Sequence, residues 1–149
     1  MQDYQIIIPM SGFGERFRRA GYKKPKPLIN IEGLPIIQHV INMFPNEKDF
    51  IFICNENHIK RFKIDTILKK ICPTGHVISI AEHKQGPVYA VNEAMSKIND
   101  DKQLIINYCD FFVYWDWNKF KEYIEQNNCD GALTCYRGFH PHSLGTTNY

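Results

Sequence analysis

The chain has no C-x-x-C pair, and its cysteines are odd in number: five, at 54, 72, 109, 129 and 135. That argues against a disulfide framework or a zinc ribbon and for a reducing compartment. Long hydrophobic runs are missing. No stretch approaches membrane-spanning length, and the apolar run Ile6–Met10 is too short for a signal peptide and follows Asp3. These absences make the cytoplasm the expected location and a membrane partner unexpected. Net charge is also scarce, at +2 with histidine neutral, so the molecule as a whole is not built to bind polyanions. No internal repeat, low-complexity tract or linker interrupts the 149 residues. That length suffices for one domain with a real core.

What is present is concentrated near the start. A short apolar run, Ile6-Ile7-Ile8-Pro9-Met10, reads as a buried strand. Ser11-Gly12-Phe13-Gly14 follows it directly. Glycine lets a ligand approach backbone without a Cβ in the way, and successive N–H groups in such a turn can form an anion-binding concavity. Six cations stand next, Arg16, Arg18, Arg19, Lys23, Lys24 and Lys26, with Glu15 alone against them. Strand, bare-backbone loop and cations together suit a polyphosphate. The loop is not a P-loop, because Glu15-Arg16-Phe17 stands where Gly-Lys-Ser/Thr is needed. It is not a dinucleotide fingerprint either, since Phe17 occupies the third glycine position. A plain glycine turn after a strand remains the bland alternative. Pro25 and Pro27 bracket Lys26, which predicts a stiff, extended segment that holds one charge in place. Glycine and proline punctuation weighs against a nucleic-acid reading of the basic cluster.

Along the chain, strand, loop and helix alternate, the pattern of an α/β fold with a mostly parallel sheet. Strands are expected over 4–10, 50–54, 77–81, 103–109 and 131–136. Helices are expected from Pro35, with Ile36, Ile37, Val40, Ile41 and Phe44 inward, and over about 57–71. A further helix should start near Pro87, with Val88, Val91, Met95 and Ile98 inward. The last should run from an Asp116 cap to Asn127, with Phe120, Tyr123 and Ile124 inward. Phe111–Trp115 reads as strand or loop, and its aromatic residues suit packing better than stacking on a base. Cys54 and Cys109 sit in strand patterns as small core residues. Ligands of open parallel sheets bind beyond the carboxyl ends of strands at a switch in strand order. If the first and fourth strands are neighbours there, Asp110 faces the glycine loop. A carboxylate and phosphate oxygens bridged by a hard cation form the usual magnesium arrangement. Otherwise Asp110 is a turn residue.

Gly-x-Gly-x-Arg followed by Pro-Lys-Pro-Leu resembles the signature of the sugar-phosphate nucleotidyltransferases. These join a nucleoside triphosphate to a phosphorylated small molecule and release pyrophosphate. By element order the resemblance runs from about Tyr4 to about Gly138, with the specific motif in the first 30 or so residues. It implies a Rossmann-like, three-layer α/β sandwich of the GT-A-like kind. It implies that Gly12 and Gly14 are the loop glycines, with Met10, Ser11 and Phe13 around the nucleotide. Arg16 then holds the leaving phosphates, and Lys26 grips the α-phosphate and the acceptor phosphate. Asp110 binds Mg2+, with Tyr108 beside the nucleotide. The segment 82–86 resembles the base-reading segment, with Gly86 the best match and Gln85 or Glu82 as polar readers; an ordinary surface loop is the alternative. His140, His142, Ser143 and Thr146 fall where acceptor binding begins in the family. His140 and His142 form His-x-His, but no cysteine or carboxylate stands near to complete a metal site.

The compact motif looks most like capsule-pathway members, some of which use CTP on non-sugar phosphates. The implied partners are a nucleoside triphosphate and a phosphorylated acceptor; an oligomer is possible. A nucleotide-binding regulatory module without turnover is the runner-up, and a nucleic-acid-binding domain a third reading. Family members are longer and carry a second metal-binding aspartate late in the sequence. Residues 138–149 contain no aspartate or glutamate. Residues 1–149 are therefore expected to be the N-terminal portion of a longer catalytic domain, or to have their site completed by another chain, and to bind nucleotide with little turnover alone.

Overall fold

The computed structural model describes residues 4–99 and 101–135. The chain divides into two compact units, Met1–Trp115 and Asp116–Tyr149. In the first, four strands form one parallel sheet: β1 (Tyr4–Met10), β4 (Phe50–Asn55), β5 (His76–Ile80) and β6 (Gln103–Ile106). Two short strands, β2 (Asn30–Ile31) and β3 (Leu34–Pro35), pair antiparallel as a hairpin. The order across the sheet is β5-β4-β1-β6. Thus β1 lies between β4 and β6, pairing Ile8 with Phe52 and Ile6 with Ile105. The alternation of strands and helices predicted this, and so did the apolar character of β1 and β4, buried along their whole length.

Side chains alternate between the two faces of the sheet. Ile7, Ile51, Ile53 and Ile80 pack with Ala90, Ala94 and Ile98 on one side. Ala90 and Ala94 belong to α5 (Gly86–Ala94), one helical turn apart. Of the expected inner face, Ile98 belongs to this cluster and Val91 packs against it, but Val88 is 82% exposed and Met95 46%, whereas both alanines are fully buried. Small side chains let the helix lie close on the sheet, and a stripe counted on bulky residues overlooks them. Elsewhere in the unit, Phe50 and Phe52 stack with ring centroids 5.9 Å apart. Phe44, just beyond α2 (Ile36–Asn42), meets Phe50 and Trp115 edge-on.

The expected helix over 57–71 is two. α3 (Glu56–Phe62) and α4 (Ile64–Ile71) meet at Lys63, whose φ of 52° is left-handed. α4 turns its own buried stripe, Ile64 and Leu68, into the core. The hairpin was not foreseen. Glu32 and Gly33 both have positive φ, 51° and 84°, as a two-residue type I′ turn requires. Residues 111–115 carry no regular structure, and Phe112 stacks on His39. In the second unit, α6 (Trp117–Asn127) is capped by Asp116, whose carboxylate accepts from the Lys119 N–H. Its buried residue is Trp117, stacked on Phe120; Tyr123, expected inward, is 57% exposed. The expected strand at 131–136 does not form over 131–135, which are exposed; Tyr136 lies outside the described residues. Among the described residues no helix is long and apolar enough to cross a membrane.

Candidate nucleotide site

The carboxyl ends of β1 and β6 are adjacent, as a shared crevice requires. Beyond them lies a cleft of about 440 Å³. Its walls come from three stretches, each following a strand of the sheet, and from the Lys26–Pro27 segment. Met10, Ser11, Gly12, Phe13 and Gly14 line it from the loop after β1. His83, Lys84 and Gly86 come from the segment after β5, and Tyr108, Cys109 and Asp110 from the turn after β6.

Local chemistry explains each wall. Gly14 sits at φ 61° before a short helix, α1 (Glu15–Arg19). Gly12 lines the cleft, and a Cβ built there would meet nothing within 4 Å, so the bare backbone leaves room for an occupant. After β6 the ladder ends with Asn107 N–H donating to the Ile7 carbonyl at 3.0 Å. The Asn107 amide then donates to the carbonyls of Tyr108 (2.8 Å) and Phe111 (3.0 Å), closing the turn that carries Asp110. β6 thus stops at Ile106, three residues short of the expected end.

Lys26 lies at the start of a 3-10 turn, Lys26–Leu28, instead of the extended segment its flanking prolines predict. Pro25 is extended, at φ −56° and ψ 145°, and Pro27, lacking an N–H, fits the first turn of a helix. Pro27 and Leu28 are buried, which anchors the lysine stem. The Lys26 ammonium pairs with the Asp110 carboxylate, each side chain 30% exposed, and lies 5.0 Å from the centre of the Phe17 ring. The resemblance set Lys26 against phosphate; in the structure its partner is the Asp110 carboxylate. Cys109, beside Asp110, has its thiol pushed up to about 12, chiefly by burial and then by the Asp110 charge, with Lys26 opposing. It is a packed thiol, not a nucleophile.

Other sequence-derived residues stand apart. Arg16 is exposed on α1 and does not line the cleft. Glu82 and Gln85 are exposed outside it; the Glu82 carboxylate accepts from the Asn57 amide at 3.2 Å. His140, His142, Ser143 and Thr146 lie outside the described residues. Within the 82–86 segment His83 and Lys84 were not singled out, and Asn55 was not named, although His83 and Lys84 line the cleft and Asn55 donates to the Ser11 carbonyl. Their signal is spatial, because the fold gathers residues from 11, 55 and 83. Among the described residues no three His, Cys, Asp or Glu side chains gather to hold a metal; the carboxylates lining the cleft are Asp110 and Glu15.

Residues 6–147 match the profile of the MobA-like NTP transferase domain. The chain belongs to that family. It is 24% identical over 144 residues to a Sulfolobus acidocaldarius protein provisionally named a mannose-1-phosphate guanyltransferase, covering 93% of this chain and 39% of that protein. Among solved structures it resembles the inositol-1-phosphate CTP transferase from T. maritima, with a TM-score of 0.62 at 17% identity, over 74% of this chain and 45% of that one. It also resembles a nucleoside-diphosphate-sugar pyrophosphorylase from Vibrio cholerae RC9, with a TM-score of 0.58 at 20% identity, over 78% and 53%. Both likenesses agree with the α/β fold described above. The chain thus spans about half the length of these solved structures, and less of the curated relative.

Proposed function

We propose that the cleft binds a nucleoside triphosphate, and that the protein transfers its nucleoside monophosphate to a phosphorylated small molecule. An acceptor phosphate oxygen forms a bond to the α-phosphorus, the bond from that phosphorus to the bridging oxygen breaks, and pyrophosphate leaves. The acceptor oxygen is already anionic, so no strong general base is needed; charge neutralisation and positioning dominate the barrier. The observation that carries this reading is Lys26 paired with Asp110 across from the Gly12–Gly14 loop. The two charges neutralise each other. On binding of a triphosphate, Lys26 would turn to phosphate and Asp110 would hold the cation. A partly exposed ion pair is worth about 1 kcal/mol or less, so the exchange is cheap.

A divalent cation fits here. Mg2+ commonly takes one or two carboxylates and completes its shell with water and phosphate oxygens. Asp110 would hold it, and when bound it neutralises phosphate charge. Arg16, outside the cleft wall, would reach the leaving phosphates from α1. Gly86, Gln85 and Glu82 would face the base, and His140, His142, Ser143 and Thr146 the acceptor. Loss of one preorganised donor typically costs about 3–4 kcal/mol of barrier.

The finer reading is CTP as donor and a sugar 1-phosphate or a non-sugar phosphate as acceptor, for capsule or other surface polysaccharide precursors. The compact loop motif supports it, as does the likeness to a CTP transferase. The five free cysteines suit a reducing, cytoplasmic setting. A pyrophosphate-release screen tests the whole: four nucleoside triphosphates with Mg2+ against sugar, alcohol and amino-acid phosphates, with nucleotide binding measured alongside. Release with one pair is the expected result. Nucleotide binding without release from any pair would make the protein a regulatory module. No nucleotide binding, with steeply salt-dependent polynucleotide binding instead, would overturn the reading.

A further inference from the structure

We infer that His83 is a positioning residue of this cleft, whose neutral imidazole ties the segment after β5 to Ser11 at the head of the glycine loop. The inference rests on the nucleotide reading above and adds a residue to it. His83 Nδ1 lies 3.2 Å from the Gln85 backbone nitrogen. A backbone N–H can only donate, so Nδ1 accepts and carries no proton. The ring proton of the neutral imidazole is therefore on Nε2, which lies 2.9 Å from Ser11 Oγ and donates to it. Ser11 is 3% exposed, so this bond is well shielded from water.

The bond closes a circuit. The Ser11 carbonyl accepts from the amide of Asn55, a fully buried residue, at 3.3 Å. Asn55 Oδ1 accepts the Asn57 N–H at 2.8 Å, and the Asn57 amide donates to Glu82 at 3.2 Å. The end of β4 and the residues after β1, β4 and β5 are thus joined by side-chain and backbone hydrogen bonds, and Tyr89 of α5 lies against the His83 ring, centroids 4.7 Å apart. Lys84 adds a second strap, 3.5 Å from Glu15 and 5.7 Å from the centre of the Phe13 ring. Two consequences follow for an occupant. The phosphate-side loop and the base-side segment are set relative to each other before binding, which lowers the ordering cost of binding. Because His83 donates to Ser11 Oγ, the serine keeps its own proton for an acceptor in the cleft it lines.

The test is calorimetric titration of the 149-residue chain with each of the four Mg2+–nucleoside triphosphates, continued with the tightest. His83→Phe keeps a ring against Tyr89 and removes the donor; affinity should fall about fivefold to tenfold, the size of one neutral hydrogen bond. Ser11→Ala, which also removes the hydroxyl proton offered to the occupant, should cost at least as much, and the double variant no more than Ser11→Ala alone, because both remove the His83–Ser11 contact. His83→Gln, which restores an N–H donor, should regain part of the affinity. Nitrogen-15 spectra of the parent's histidine rings should show the Nε2–H tautomer, a readout that needs no variant to fold. Unchanged affinity in His83→Phe, losses that add in the double variant, or an Nδ1–H tautomer would each overturn the inference while leaving the nucleotide site standing. A parent that binds none of the four nucleotides would overturn the nucleotide reading itself, and this inference with it.

Discussion

At the residue scale, Lys26 and Asp110 share a partly exposed ion pair, while Cys54, Cys72 and Cys109 are buried. Lys26 is anchored through buried neighbours and spends little stability on its ion pair. Lys26→Ala should therefore lower stability by no more than about 1 kcal/mol. Nucleotide affinity should fall about tenfold to a hundredfold, the usual range for a charge-assisted contact. Calorimetry beside thermal melting checks this; a large loss of melting temperature with affinity intact would make Lys26 a structural residue. His58 supplies a separate test through pH. Its Nδ1 is buried without a hydrogen-bond partner among the described residues, and its pKa is lowered, chiefly by burial, with Glu82 opposing and Arg61 and Arg18 adding to the shift. A lowered folded-state pKa means the unfolded chain takes up the proton first. Stability is then full above the unfolded value of about 6.5 and is lost as pH falls from there through the folded value. Denaturant unfolding of His58→Leu should show a shallower decline between about pH 7 and 5 than the parent. Identical slopes would mean that the burial of His58 is not felt.

At the element scale, legibility followed how local the cause is. β1, β4 and the capped α6 were readable because burial on both faces, or a cap residue, writes itself into adjacent positions. The glycine loop, Lys26 and Asp110 were readable because their motif is contiguous or sits at a strand end. The inner face of α5 was readable only at Val91 and the following Ile98, because its closest contacts are made by alanines. The break at Lys63 was not, because a lysine in the left-handed region gives no signal in composition. The circuit of His83, Ser11 and Asn55 spans 72 residues of separation between its serine and histidine, which no local pattern can encode. The hairpin shows the same limit in a form that can be tested. Its turn places Glu32 at φ 51°, where asparagine is preferred before glycine. Glu32→Asn should raise the melting temperature by about 1–3 °C, from relief of up to about 1 kcal/mol of left-handed strain. A fall would show that Glu32 contributes something there besides turn geometry.

At the scale of the whole molecule, every residue lining the cleft lies between Pro9 and Asp110, inside the unit that ends at Trp115. The bound state should therefore mark that unit and not the other. A ligand that binds only the folded state stabilises it by about 2.7 kcal/mol at a hundredfold excess over its dissociation constant. That gain is felt wherever exchange requires opening of the structure that holds the ligand. Hydrogen exchange of the full chain, with and without a saturating Mg2+–nucleoside triphosphate, should slow at residues 11–17, 82–86 and 107–110. Slowing should extend through β1, β4 and the Ala90–Ala94 face of α5, which share one core. α6 should exchange at nearly the same rate in both states, since none of its residues lines the cleft. Protection confined to residues 16–26 would instead assign the ligand to the exposed basic cluster. Equal protection across α6 would mean that the nucleotide is held by both units, and that the cleft described here is only part of its site.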